Sequence, residues 1–224
     1  MKDKYSSVFE VERSRVIERE FLRPFLRPGA EVLDVGAGAG HYSGLMRSLG
    51  GRVRCVDYDQ AKVDMLKDAG FDALRADAQE GLPFPDGSFD FVTALEVIEH
   101  LEKPQRLLAE AARVLKDDGL LLISTPNRRS LEALVGHISG LFTGRKWRAW
   151  DDSHRRIYSP AEIKAEVSAF FDILKLTGFY LMHKGRFVPS GLCFTSFNGG
   201  ILAERSFIIN ILARPRRRGG EPRA

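Results

Sequence analysis

The stretch Val32-Leu33-Asp34-Val35-Gly36-Ala37-Gly38-Ala39-Gly40 predicts a buried strand that runs into a glycine-rich turn and then a helix. Glycine permits positive φ angles and lets a ligand approach the backbone closely. The spacing is G-x-G-x-G rather than the G-x-G-x-x-G of dinucleotide-binding folds. Asp34 stands before the first glycine, where a carboxylate suits a ligand with a cationic amino group better than a pyrophosphate. A dehydrogenase is therefore disfavoured.

Apolar runs alternate with amphipathic stretches on both sides of this turn. The pattern predicts strands over 31–35, 52–56, 71–76, 89–95 and 120–125 and helices over 43–49, 61–69 and 104–115. It then breaks over 126–157, which predicts an insertion, before a helix at Ser159-Pro160 and two further strands over 171–180 and 206–213. This order predicts an α/β fold, a doubly wound and mostly parallel sheet with helices on both faces.

Length and composition indicate one globular domain. The chain has 224 residues, of which 44% are hydrophobic and 29% charged, and we expect one domain over 1–214 with an N-terminal helix or cap over 1–30. Residues 215–224 are expected to form a flexible basic tail. The net charge is only +4, and part of it lies in 214–218, so a nucleic-acid partner is disfavoured. A charged N-terminus, two widely spaced cysteines and no long apolar run predict a cytoplasmic protein without a membrane span.

Two further aspartates stand at the ends of predicted strands. Asp57 follows the second strand about twenty residues beyond the first glycine, where a carboxylate can accept hydrogen bonds from ribose hydroxyls. Asp77 follows the third strand, where it can accept from an adenine amino group while the N–H of Ala78 donates to a ring nitrogen. A lone aspartate at such a place is commonly a helix cap or turn former. Three at successive strand ends, counting Asp34, indicate a ligand site at this edge.

The residues at 32–40, 56–57 and 77–90 together follow the pattern VLDVGxGxG…VD…DAxxLPFPDxSFD. Over about 32–178 the chain resembles the class I S-adenosylmethionine-dependent methyltransferases. The resemblance implies a Rossmann-like sheet of seven strands whose last strand lies antiparallel beside the fifth. It also implies S-adenosylmethionine as cofactor and S-adenosylhomocysteine as product. The glycine loop would meet the methionine part, and the predicted cofactor-binding residues are Asp34, Gly36, Ala37, Gly38, Gly40, Asp57, Tyr58, Asp77, Ala78 and Leu95.

A second group of polar residues follows the fourth strand. Glu96, Glu99 and His100 share one face if this stretch is helical. In a sheet of this kind they would border the transferred methyl group. Two carboxylates and an imidazole suit a divalent metal, with oxygen ligands favouring Mg²⁺ or Mn²⁺ and the imidazole favouring Mn²⁺, Fe²⁺ or Zn²⁺.

The segments 95–101, 124–128 and 153–158 look like two metal-using groups of relatives. One comprises the ubiquinone-pathway catechol O-methyltransferases, and the other the small-RNA 3′-terminal 2′-O-methyltransferases, in which a later histidine completes the metal site. His154 matches that histidine. Three interpretations stay open: the four residues hold a metal, His100 or His154 is a general base without metal, or the glutamates stabilise a helix N-terminus while the histidine packs.

The acceptor is expected to contact the N-terminal helix, the 126–157 insertion and residues 182–200. The insertion carries an apolar stripe followed by basic and aromatic residues, namely Leu131, Leu134, Val135, Ile138, Leu141, Phe142, Arg145, Lys146, Trp147, Arg148 and Trp150. We expect this insertion to pack on the domain as a lid, with peripheral membrane contact as an alternative. The sequence predicts methyl transfer to oxygen of a hydrophobic or phenolic small molecule. The alternatives are an RNA ribose 2′-O-methyltransferase and a non-catalytic cofactor-binding partner protein.

Overall fold

A computed structural model describes residues 4–131, 133–134, 137–138, 153–179 and 196–216. Much of the predicted insertion lies outside these residues, including Val135 and the whole run from Leu141 to Trp150. Most of the expected acceptor stretch at 182–200 and the basic tail from 217 onward also lie outside them. Among the described helices, none has the length and apolar character needed to cross a membrane.

The sheet has eight strands in the order β3-β2-β1-β4-β5-β8-β6-β7. Neighbouring strands from β3 through β5 pair in parallel, whereas β8 lies antiparallel between β5 and β6. The predicted antiparallel last strand is therefore confirmed, and β7 adds a short edge beyond the seven predicted strands. The bounds are Glu31–Val35 (β1), Arg52–Asp57 (β2), Asp72–Arg75 (β3), Phe89–Leu95 (β4), Leu115–Pro126 (β5), Phe171–Phe179 (β6), Ser196–Asn198 (β7) and Ile208–Pro215 (β8).

Helices cover both faces of this sheet, as the alternating pattern predicts. Helix α1 continues through a π-helical turn over Glu18–Leu22 into the short α2. Asp59 caps α4 by accepting from the Ala61 N–H at 2.9 Å, and Ser159 forms a capping box with Glu162 at the start of α6. The bounds are Lys4–Ile17 (α1), Arg23–Phe25 (α2), His41–Ser48 (α3), Gln60–Asp68 (α4), Pro104–Val114 (α5), Pro160–Ser168 (α6) and Gly200–Glu204 (α7).

The core lies on both faces of the central strands because successive side chains of a strand point to opposite faces. Along β1, Leu33 belongs to the large cluster under α5 and α6, whereas Val32 belongs to a second cluster under the N-terminal helices. Ile17 and Phe21 are fully buried in that second cluster. The N-terminal helix therefore packs against the same central strands that carry the glycine turn.

The chain does not continue as a helix after β4, so the expectation that Glu96, Glu99 and His100 share one helix face is wrong. Glu96 has a φ of 57° and turns the chain, and only a single 3₁₀ turn follows over Ile98–His100. The Glu96 N–H donates to the carbonyl oxygen and to Oγ of Ser124 on β5, at 3.2 and 3.1 Å. These bonds keep Glu96 beside β5 while Glu99 and His100 lie one turn further on.

Candidate active site

A cleft of about 720 Å³ opens at the carboxyl ends of the parallel strands, where ligands bind in sheets of this kind. Residues from the ends of β1 and β2 line it, together with the segments that follow β3 and β4 and with Ser153 and Arg155. Seven of the residues predicted from the sequence are among them: Gly36, Asp57, Tyr58, Asp77, Ala78, Glu96 and His100.

Hydrogen bonds join the glycine turn to the end of β2. The N–H groups of Gly36 and Ala37 donate to the Val56 carbonyl at 2.8 and 3.2 Å, and the Gly38 N–H donates to Asp57 Oδ2 at 2.9 Å. Gly36, Gly38 and Gly40 have φ values of 67°, 55° and 80°. A Cβ on Gly36 would lie 2.5 Å from Val97 Cγ2, whereas one on Gly38 would have no atom of the described residues within 4 Å apart from its chain neighbours. The backbone at Gly38 is thus open to an approaching group.

Gly40 has a packing role at the start of α3. A Cβ there would lie 2.8 Å from Leu66 Cδ2 on α4, so a larger residue would require the Leu66 side chain to shift. Leu95, another predicted cofactor residue, packs against the second core cluster and is absent from the residues that line the cleft. Gly40 and Leu95 therefore pack against neighbouring elements, and their predicted contact with the cofactor stays a prediction.

The predicted ribose and adenine residues lie together along one part of the cleft. Asp57 is 7% exposed, and its Oδ1 accepts from the Asp59 N–H at 3.0 Å. Tyr58, next in the chain, is 73% exposed and presents its ring to the cleft. Asp77 accepts from the Gln79 N–H at 2.9 Å, and Ala78 beside it is buried. These contacts fix both carboxylates while leaving room for a planar ligand.

Asp34 lies beneath the glycine turn and is not among the residues that line the cleft, so its predicted contact with a cationic amino group stays a prediction. Its side chain is buried, with Oδ2 accepting from Ser43 Oγ and Oδ1 from Thr93 Oγ1, each at 2.6 Å. Burial raises the pKa of the Asp34 carboxyl, although the two hydroxyl donors act in the opposite direction. Asp34 therefore joins α3 to β4 under the turn.

Glu99, His100 and His154 offer ligand atoms that all lie within 4.8 Å of one another. The two imidazole rings have centroids 4.7 Å apart. Glu99 is fully buried, and among the described residues no donor meets either of its carboxylate oxygens with hydrogen-bond geometry. Burial, followed by the nearby charge of Glu96, raises the pKa of Glu99 well above its usual value. A bound cation would neutralise the negative charge of this buried carboxylate.

Backbone contacts bring the distant His154 to the 3₁₀ turn. The N–H groups of Arg155 and Arg156 both donate to the Glu99 carbonyl, at 3.0 and 3.1 Å. His100 Nδ1 lies 3.1 Å from the Ser153 carbonyl oxygen. The segment that carries His154 is therefore bound to the turn on both sides of the histidine.

Glu96 lies outside the group formed by Glu99 and the two histidines, so three of the four predicted metal ligands come together and the metal itself stays a prediction. Glu96 Oε1 lies 3.1 Å from Nη2 of Arg13, a residue on α1, and also accepts from Ser124 Oγ at 2.9 Å. Sequence reasoning missed Arg13. Its spacing in the sequence could have indicated it. Arg13 precedes the buried residues Val16 and Ile17 by three and four positions, so this charged residue lies on the apolar face of a helix.

Residues 33–123 match a family described as a methyltransferase domain. This stretch of the chain is therefore similar to methyltransferase domains. Over 143 residues the chain is 32% identical to the ubiquinone biosynthesis O-methyltransferase of Xanthomonas oryzae pv. oryzae, covering 61% of this chain and 60% of that protein. A probable S-adenosylmethionine-dependent methyltransferase of Mycobacterium tuberculosis is 40% identical over 100 residues, covering 44% of this chain and only 36% of that protein.

Solved structures share the fold of this chain. A Thermotoga maritima protein described as a possible histamine N-methyltransferase superimposes with a TM-score of 0.68 at 20% identity, covering 95% of each chain. The [4+2]-cyclase SpnF superimposes with a TM-score of 0.62 at 19% identity, covering 91% of this chain and 80% of that one. Because a cyclase shares the architecture, the reaction must be argued from the site and not from the fold.

Proposed function

We propose that this protein transfers a methyl group from S-adenosylmethionine to an oxygen atom of a small hydrophobic or phenolic acceptor, with a divalent metal ion at Glu99, His100 and His154. One observation carries the proposal. His100 lines the same cleft as Gly36 and Asp57 and also belongs to the Glu99 group, so a cofactor site and a metal-binding group adjoin.

The strand ends supply the contacts that the cofactor needs. Each oxygen of Asp57 already accepts one backbone N–H, and a carboxylate retains capacity to accept ribose hydroxyls. Asp77 and the exposed ring of Tyr58 lie next to it for the base. The open backbone at Gly38 provides room for the methionine part. With these contacts the sulfonium would lie toward the end of β4.

The transfer itself requires orientation more than a strong catalyst. The acceptor oxygen attacks the methyl carbon as the carbon–sulfur bond breaks, the electron pair stays on sulfur, and the acceptor proton is lost to an imidazole or to water. Alignment of the two reactants contributes several kcal/mol to such a step. A divalent ion beside the acceptor favours ionisation of its hydroxyl group. The buried Glu99 and the paired imidazoles fit such an ion, because among the described residues no donor meets the carboxylate oxygens of Glu99 with hydrogen-bond geometry.

The charge of the cleft favours a small acceptor over nucleic acid. Five carboxylates line its described part, whereas Arg155 is the one Lys or Arg there and is itself paired with Glu102 at 2.6 Å. A polyphosphate would be repelled by this lining, since nucleic-acid binding depends on clustered Lys and Arg. Val97 and Leu101 provide apolar surface in the same cleft, which suits an aromatic ring.

Calorimetric titration with S-adenosylhomocysteine, followed by methyl transfer to a catechol with and without Mn²⁺, tests the proposal. We expect micromolar cofactor binding and metal-dependent transfer. Glu99→Gln should abolish the metal dependence while leaving cofactor affinity within about threefold. Glu102→Gln is the matched control, because Glu102 also lines the cleft but lies outside the metal-binding group.

The outcomes separate the two parts of the proposal. Absence of cofactor binding would exclude the methyltransferase function altogether. Cofactor binding with transfer that is indifferent to chelation would exclude the metal and leave His100 or His154 as candidate bases.

A further inference from the structure

Arg13 is a buried cation held at the edge of the candidate site. Only 5% of the residue is exposed, although it belongs to α1 at the periphery of the fold. Its Nη2 donates to Ser124 Oγ at 2.8 Å and lies 3.1 Å from Glu96 Oε1. The guanidinium carbon lies 5.7 Å from the centre of the Tyr42 ring. A guanidinium without solvent needs an anion beside it, and Glu96 is that anion.

Glu96 is held by the same contacts in an unusual backbone conformation. It is the one described residue other than glycine with a positive φ. Ser124 receives hydrogen bonds from Arg13 and from the Glu96 N–H, and donates its own hydroxyl proton to Glu96 Oε1. The carboxylate is therefore fixed toward Arg13, even though the residue lines the cleft that contains His100.

We propose that Arg13 is a positioning residue that withholds Glu96 from the metal-binding group. This inference rests on the metal site of the proposed function. With Glu96 paired to Arg13, the ion is held by one carboxylate and two imidazoles. Such a donor set favours Mn²⁺, Zn²⁺ or Fe²⁺ over Mg²⁺, which prefers oxygen ligands. Helix α1 thereby sets the metal preference of a site built on other elements.

Titration of the metal-free full chain with Mn²⁺, Zn²⁺ and Mg²⁺ by calorimetry tests this role. Glu96→Gln alone should change the Mn²⁺ dissociation constant by less than about threefold, because Glu96 is not a ligand. Arg13→Gln should tighten Mn²⁺ and Mg²⁺ binding at least about tenfold, because it frees Glu96 as a fourth ligand. The gain should vanish in the double variant Arg13→Gln/Glu96→Gln.

A matched control comes from the same helix. Arg15 has a largely exposed side chain that pairs with Glu12, so Arg15→Gln should bind all three ions as the unmodified chain does. Thermal melting identifies a variant that does not fold. If Arg13→Gln is unstable, Arg13→Met removes the charge while filling a similar volume.

Several results would overturn the inference. Weaker Mn²⁺ binding by Glu96→Gln in the otherwise unmodified chain would show that Glu96 is already a ligand. Unchanged metal binding in a folded Arg13→Gln or Arg13→Met variant would show that Arg13 does not keep Glu96 from binding the metal. No metal binding in any variant would overturn this inference and the proposed metal together, while S-adenosylhomocysteine titration of the same samples still reports separately on cofactor binding.

Discussion

Gly38→Ala tests whether the glycine turn is the surface that the cofactor approaches. The methyl group of alanine is the Cβ itself. At position 38 it would occupy open space, with no atom of the described residues within 4 Å apart from its chain neighbours. Gly70→Ala is the matched control. Gly70 also has a positive φ, 75° against 55°, and also has open space around a Cβ. It precedes β3 at the amino end of that strand, opposite the cleft.

The two variants should lose similar stability and differ in cofactor affinity. Alanine in the left-handed region costs about 1–2 kcal/mol, which lowers the melting temperature of a domain of this size by roughly 2–8 °C. At Gly38 the added methyl also competes with the bound cofactor. Overpacking of that kind costs about 1–3 kcal/mol, equivalent to about a 5- to 150-fold rise in the dissociation constant.

The measurement is calorimetric titration of both variants with S-adenosylhomocysteine, accompanied by thermal melts. We expect weaker binding for Gly38→Ala and unchanged binding for Gly70→Ala. A folded Gly38→Ala protein that binds within twofold of the unmodified chain would refute the placement of the cofactor against this turn. Equal losses in both variants would show that backbone strain, and not the position of the methyl group, weakens binding.

Three further predictions concern buried groups and a helix end. Burial raises the pKa of Cys55 to about 12. In a Cys193→Ser background, a disulfide reagent at pH 8 should therefore label Cys55 only after denaturant is added. Rapid labelling of the native protein would contradict this prediction. Because burial raises the pKa of Asp34 in the folded protein, the contribution of Asp34 to the free energy of unfolding should fall as pH rises from 3.8 toward that pKa. Asp34→Asn should remove this contribution and change the pH slope of the free energy of unfolding by up to about 1.4 kcal/mol per pH unit in urea titrations, and an unaltered slope would count against the assignment. Ser159→Ala removes the cap of α6 and should cost about 1 kcal/mol, seen as a melting temperature lower by roughly 2–4 °C; an unchanged melt would show that the cap contributes little.

The strands and helices around the glycine turn follow from local sequence. Apolar runs predict β1 and β4 with their observed bounds, Glu31–Val35 and Phe89–Leu95, because a strand buried on both faces is rich in apolar residues. The predicted strand over 120–125 is extended by the structure to Leu115–Pro126. The polar residues at its start pair irregularly with β4 and carry no periodic signal.

The contacts that define the candidate site are less accessible to such reasoning. The partners of Asp34 come from α3 and β4, so spacing along the chain cannot distinguish a ligand contact from an internal one. The pairing of Arg13 with Glu96 joins α1 to the end of β4 and depends on how the N-terminal helix packs. The turn at Glu96 arises from its bonds to Ser124 and contradicts the helical spacing of the acidic residues.

The position of β8 sets a condition on synthesis of the chain. Residues 208–213 are all buried and separate β5 from β6 in the sheet. A nascent chain in which 208–215 are not yet synthesised can assemble β1 to β5, but it leaves the edge of β5 without its partner strand. Unpaired edges of this kind recruit other strands. Ribosome stalling after residue 179 should therefore produce an aggregation-prone intermediate, although every strand of the glycine-turn side is already formed.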